Sequence, residues 1–237
     1  MSAPLLWLAG ILILVAIWSV TTPEWVTAHF DNDGASPVES VTVGLFFFQI
    51  GFLWLLPPMR PGWQRPLWMA DFSLLTFFAI CRELDWHKLL VSASNLPGAT
   101  HGTPFKMKFL TNPHNPLGDR IIVAVCFALV LGLFAGTLFY FIRRLLTGLF
   151  KLHPVCWTIG FFGGTLILIQ IVDRLPADLR HAAGFRISDH LHALTTVLEE
   201  GQELLLPLFM ILAIMQAHFI YNDAPADSAP LARFKDL

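Results

Sequence analysis

Two short runs of this chain carry side chains able to do chemistry. Arg82-Glu83-Leu84-Asp85-Trp86-His87-Lys88 follows one apolar stretch, and Glu199-Glu200-Gly201-Gln202-Glu203 precedes another. Glu83 and His87 are four residues apart, so a helix puts both on one face, within reach of a single ion or substrate group. Asp189, His192, Thr196, Glu199 and Glu203 recur at steps of three and four, which makes one polar stripe on a helix. The stripe stops at Glu203, the deepest acid. Four residues on, Pro207 has no N–H to offer, so the Glu203 carbonyl lacks its helical donor.

A carboxylate–imidazole pair opposite a carboxylate–imidazole stripe is a ligand set for Zn²⁺, Mn²⁺ or Fe²⁺. Glu/His pairs on facing helices also build di-metal carboxylate sites in bundles. The sequence therefore predicts a divalent metal ion held by Glu83, His87, His192, Glu199 and Glu203. Glu200, on a different face, and Asp85 are the candidate catalytic carboxylates, with Glu200 alternatively pairing Arg82. Arg82, Lys106, Lys108, Arg120 and Arg174 are candidates to hold an anionic headgroup. A metal there would lower the pKa of a bound water and produce a nucleophile at headgroup level. The predicted activity is metal-dependent hydrolysis of an ester, amide or phosphate on a lipid or lipid-linked substrate.

The same residues support other readings. Facing acids and bases also serve proton or ion exchange, as in a transport component or accessory subunit of a larger membrane complex. Charges that merely flank spans form interfacial ion pairs, such as Arg82 with Glu83 or Arg174 with Asp173. His87 with His192 and His153 with His218 suggest two bis-His levels for haem. Against that, His153 precedes Pro154 in a loop and the first pair is crowded by carboxylates, so haem is not expected.

The elements that must position these groups are helices in lipid. Of 237 residues 55% are hydrophobic and 14% charged, where a soluble domain carries about a quarter charged. Apolar stretches at 4–20, 41–56, 67–81, 121–142, 155–172 and 204–221 each approach the roughly 20 residues a bilayer requires. Only a helix satisfies every backbone group within such a segment. The expected fold is all-α: a polytopic integral membrane bundle of about six transmembrane helices. Residues 1–222 form a single domain, with an outer loop at 88–118, an outer polar helix at 178–202 and a cytoplasmic tail at 223–237. The stretch at 4–20 has no Lys or Arg before it and is read as a retained span rather than a signal.

Arg60 and Arg65 in one connection, and Arg143, Arg144 and Lys151 in another, stand without acids. The first connection instead holds Glu24, Asp31, Asp33 and Glu39 and no base. The positive-inside rule then puts both termini in the cytoplasm and the polar site on the periplasmic face of a bacterial inner membrane. Phe105-Lys106-Met107-Lys108-Phe109 alternates as a strand or interfacial strip would. Gly132 with Gly136 and Gly160 with Gly164 are spaced for close helix packing. Cys81, Cys126 and Cys156 sit in apolar runs as small hydrophobes, not as a disulfide framework or metal site. The net charge of −2 gives no reason to expect a nucleic-acid partner. The partners implied are membrane lipids and another membrane protein or further copies of the chain.

Overall fold

The computed structural model describes residues 2–31, 36–58, 64–84, 86, 107–183 and 188–220, with backbone alone at 64, 107, 108 and 181–183. Among these residues there are eight helices and no strand: α1 (Ser2–Val20), α2 (Pro23–Phe30), α3 (Pro37–Leu55), α4 (Gln64–Glu83), α5 (Met107–Thr111), α6 (Leu117–Phe150), α7 (Pro154–Ala183) and α8 (Asp189–His218). Four are long and apolar enough to cross a membrane: α1, α3, α6 and the Pro154–Arg180 part of α7. They coincide with four of the six expected stretches. The other two, 67–81 and 204–221, fall in α4 and α8, which are helical but not among these four.

Local sequence accounts for several element ends. Thr22 caps α2, its side chain accepting from Trp25 N, with Pro23 in the first turn. Glu24, also in that turn, has its carboxyl held below the usual range by a backbone hydrogen bond and by Thr22. Ser36 and Glu39 form a capping box on α3. The polar helix expected over 178–202 is divided: α7 continues to Ala183, and α8 begins afresh at Asp189 under a Ser188 cap. Residues 107–109 of the expected strand are helical, in α5. Residues 105 and 106, most of the 88–118 loop and the 223–237 tail lie outside the described residues.

The chain forms two compact units, Met1–Met69 with Arg143–Leu237, and Ala70–Ile142. In the first, α8 is the central helix. Helix α1 runs antiparallel to it: Gln216 Nε2 donates to Ser2 Oγ (3.0 Å), Gly10 meets Leu205, Gly201 meets Leu14, and Trp18 Nε1 donates to the His190 carbonyl (2.9 Å). Helix α7 is also antiparallel to α8, through Thr158 Oγ1 donating to Gln216 Oε1 (2.8 Å) and the Phe161 and Phe209 rings 6.4 Å apart. Helix α3 is parallel to α8, with Val38 near Ala193 and Val197, and the His218 imidazole 3.3 Å from the Pro57 carbonyl. Helix α2 closes one end, burying Val26 and Phe30 against Ala193 and Val197. Enclosure by these helices explains why α8 tolerates polar residues: its surroundings are protein.

Glycine lets α1 and α8 approach closely, but not the expected glycines. A Cβ on Gly10 would lie 2.8 Å from Leu205 Cδ1, and one on Gly201 would overlap the Leu14 side chain. Among the described residues nothing lies within 4 Å of a Cβ placed on Gly132, Gly136 or Gly164, and Gly160 meets only Leu149. Close packing is what drives helix association in lipid, where apolar transfer supplies no force.

Helix α6 ends in a Schellman turn, with His153 N donating to the Gly148 carbonyl (2.8 Å) and Leu152 N to the Leu149 carbonyl (3.2 Å). The left-handed position is held by exposed Leu152, at φ 56°, where a Cβ is penalised and glycine is not. Leu152→Gly is expected to stabilise the protein by about 1 kcal/mol, seen as a higher midpoint of thermal unfolding in detergent.

In the second unit α5 docks on the start of α6 through Phe109 and Val123, and Asn115 Nδ2 donates to the Phe109 carbonyl (2.8 Å). Asp71 on α4 is hydrogen-bonded to Thr137 Oγ1 on α6, and the Phe72 and Phe141 rings lie 6.1 Å apart.

Candidate functional site

The contacts along α8 fix the height of Glu203. Gly10 meets Leu205 and Leu14 meets Gly201, so Leu12, midway between them on α1, is level with Glu203. Moving six residues along each helix from the Phe161–Phe209 contact brings Ile167 of α7 to the same level. Leu12 is one residue past the centre of Ser2–Val20, and Ile167 is the centre of Pro154–Arg180. Glu203 is thus at mid-height of the first unit, not at its edge, and is only 8% exposed. Beside it Gln202 is 1% exposed.

The spacing-derived stripe runs from the exposed end of α8 to this acid. His192 is exposed, its Nδ1 3.5 Å from Thr195 Oγ1, and Thr195 Oγ1 donates to the His192 carbonyl (2.7 Å). Thr195 is buried, and Glu199 and Glu200 are half-buried. Beyond Glu203, residues 204–215 contain no polar side chain. Polarity returns at Gln216, bonded to Ser2 and Thr158. The track therefore reaches halfway through the unit and stops.

Other polar side chains are buried in the same unit. Thr42 donates to the Val38 carbonyl (3.0 Å), and Gln49 is 3% exposed. Gln202 Oε1 and Thr165 Oγ1 have no hydrogen-bond partner among the described residues. Leaving such a group unsatisfied costs on the order of 1–3 kcal/mol.

The expected metal ligands on α8 extend over more than one coordination sphere. His192 and Glu203 are eleven residues apart on one helix, a rise of about 16 Å, whereas ligand bonds to zinc are about 2 Å. Among the described residues no three His, Cys, Asp or Glu side chains converge as metal ligands. Glu83 ends α4 in the second unit, whereas His192, Glu199, Glu200 and Glu203 belong to the first. Its Oε1 accepts from Arg82 Nη2 (2.7 Å) and Nε (3.1 Å). That ion pair engages Arg82 with its neighbour Glu83 and places a cation where a metal would compete. Asp85, His87 and Lys106 lie outside the described residues, and Lys108 is in α5 with its backbone alone described.

Of the predicted headgroup residues, Arg120 is half-buried in the first turn of α6, beside Asp119. Its backbone N donates to the Pro116 carbonyl (3.1 Å), while its Nε has no hydrogen-bond partner among the described residues. Arg174 is exposed on α7, along a groove of about 580 Å³ that this helix lines from Leu166 to Asp178.

Sequence reasoning passed over Asp71, Thr137, Gln49 and Thr165. The available signal was a polar residue inside an apolar stretch, which lipid penalises unless a partner is supplied. Asp71→Ala is expected to loosen α4 from α6 by about 0.6–1.7 kcal/mol, the measured range for interhelical hydrogen bonds in membranes. Thermal unfolding of Asp71→Ala, Thr137→Val and the double variant checks this: the double should cost little more than either single.

No family model matches the chain, and no curated protein or solved structure is significantly similar to it.

Proposed function

We propose that this chain is a proton-coupled component of a larger membrane assembly, with Glu203 as its proton-binding group. The observation that carries the reading is a buried carboxylate level with the centres of two helices able to span a membrane. A charged side chain at the middle of a bilayer costs about 2.5–3.5 kcal/mol on insertion scales, and such residues mark proton and ion pathways. His192, Thr195 and Glu199 give Glu203 an approach from one end of α8, and the apolar 204–215 segment closes the other. Pro207 removes the backbone bond to the Glu203 carbonyl, so α8 has a weak point one turn beyond the acid.

In this reading α4 and α8 also cross the membrane, α8 enclosed by its neighbours, which gives six spans with both termini cytoplasmic. The open end of the stripe then faces the periplasm of a bacterial inner membrane, because Arg143, Arg144 and Lys151 stand at the cytoplasmic side. Protons enter along the stripe and load Glu203. Onward transfer needs a movement about Pro207 or a group from a partner.

Treating the purified protein in liposomes with a hydrophobic carbodiimide tests this, since the reagent couples to protonated carboxyls in membranes. Modification of Glu203, located by peptide mass spectrometry, is the expected result. A second reading, the metal-dependent lipid hydrolase, draws on Glu199 and Glu203 standing one turn apart. An inert Glu203 together with stoichiometric zinc, manganese or iron, lost in Glu203→Ala, would favour that reading instead.

A further inference from the structure

Gln202 lies on the strip of α8 that meets α7. It stands seven residues before Phe209 and fourteen before Gln216, close to whole numbers of helical turns, and those two residues contact Phe161 and Thr158. Beside it, Gly201 meets Leu14 of α1. Gln202 is 1% exposed, and its Oε1 has no hydrogen-bond partner among the described residues. The flanking helices offer none at this height. Residues 9–17 of α1 carry no polar side chain. Seven residues along each helix from the Phe161–Phe209 contact, Leu168 of α7 is level with Gln202, with Ile167 and Ile169 on either side. Thr165, the nearest buried polar residue of α7, is not bonded to it, since its own Oγ1 also has no partner among the described residues. A partner must therefore come from α8 itself. Of the four positions that a helix sets beside residue 202, at three and four residues either way, Leu198, Leu205 and Leu206 occupy three. The fourth is Glu199, half-buried and one turn from Glu203.

We infer that Gln202 is a positioning residue for proton entry, its side-chain amide holding Glu199 while Glu199 passes a proton to Glu203. This role rests on the proton-binding function given to Glu203 and adds the group that delivers the proton. An amide suits both charge states of a carboxyl: Nε2–H donates to the carboxylate, and Oε1 accepts from the acid O–H. A proton arriving past His192 and Thr195 forms an O–H bond on Glu199, and that acid donates to Gln202 Oε1. The O–H bond then breaks as another forms on the Glu203 carboxylate, and Glu199 is left ionised. One proton moves, no electrons are exchanged and no co-reactant is consumed. A side chain without an acceptor at 202 would leave the Glu199 acid facing only leucine on this strip, and the acid would form less readily.

Stopped-flow mixing of the full chain in lipid nanodiscs with a pH-sensitive dye tests this, because it separates the rate of proton binding from its extent. Glu199→Gln should slow binding about a hundredfold and leave its extent unchanged, whereas Glu203→Gln removes the extent. Gln202→Met, similar in length but with neither N–H donor nor carbonyl acceptor, should slow binding about tenfold. Gln202→Asn should recover part of that rate. In the Glu199→Gln background, Gln202→Met should slow binding no further. An unchanged rate in Gln202→Met, or the same slowing with and without Glu199, overturns the proposal and leaves Glu203 in its role. Wild-type protein that binds no proton removes both. The thermal midpoint of Gln202→Met should not fall, because an apolar side chain replaces a buried amide, which keeps slower binding distinct from lost fold.

Discussion

Replacing Glu203 by Gln should eliminate carbodiimide modification at this position and lower proton uptake about a hundredfold, the small end of what a positioned proton-transfer group contributes. Gln keeps the size and hydrogen-bonding capacity of the side chain and removes only the exchangeable acid, so the thermal midpoint should hardly move. Glu203→Asp keeps the acid but withdraws it by one methylene, and should retain intermediate activity. The relevant measurement is the proton bound per protein after a pH step, read from a pH-sensitive dye on the outer side of the proteoliposomes. Because 204–215 is apolar, the isolated chain should load a proton without passing a steady current. Proton binding in Glu203→Gln equal to wild type would remove this acid from the mechanism, however buried it is.

The largest structural effect is expected from Gly201→Ala. A Cβ there would overlap Leu14 Cδ2 and lie 2.9 Å from its Cγ, so more than a methyl tip must yield. Leu14 has little room to do so, because Val26, Phe30, Ala193 and Val197 surround it. Overpacking of this kind costs about 1–3 kcal/mol, and the measured thermal midpoint should fall accordingly. Gly10→Ala meets terminal methyls of Leu205 at 2.8 and 2.9 Å and should be milder. Pairing Gly201→Ala with Leu14→Ala should recover much of the loss, since the smaller side chain vacates the contested space. Additive losses would mean that Gly201 matters for some reason other than this contact.

Several of these features were readable from residue order alone. Apolar length identified α1, α3, α6 and α7, because a lipid-facing helix must be apolar over its whole spanning length. Three- and four-residue steps identified the α8 stripe, because helical periodicity is local. Thr22-Pro23-Glu24 is a helix-start signal inside the first connection, and apolar length alone passes over it. The depth of Glu203 was not readable, since it follows from which residues of α1 and α7 lie opposite. Nor was the work of Gly201, which sits in an acidic run and reads as a spacer until Leu14 is placed against it. Residues remote in the chain were grouped by chemical type, but Glu83 is engaged by the arginine next to it.

The central position of α8 has a consequence for biogenesis. It is the last described helix in chain order, yet α1, α2, α3 and α7 all pack on it. During synthesis the earlier helices are made before their common partner has left the ribosome. Until then the close approach at Gly10 and the α2 residues Val26 and Phe30 lack the α8 side chains they pack against. The packing of this unit is accordingly completed only once residues 189–218 are available.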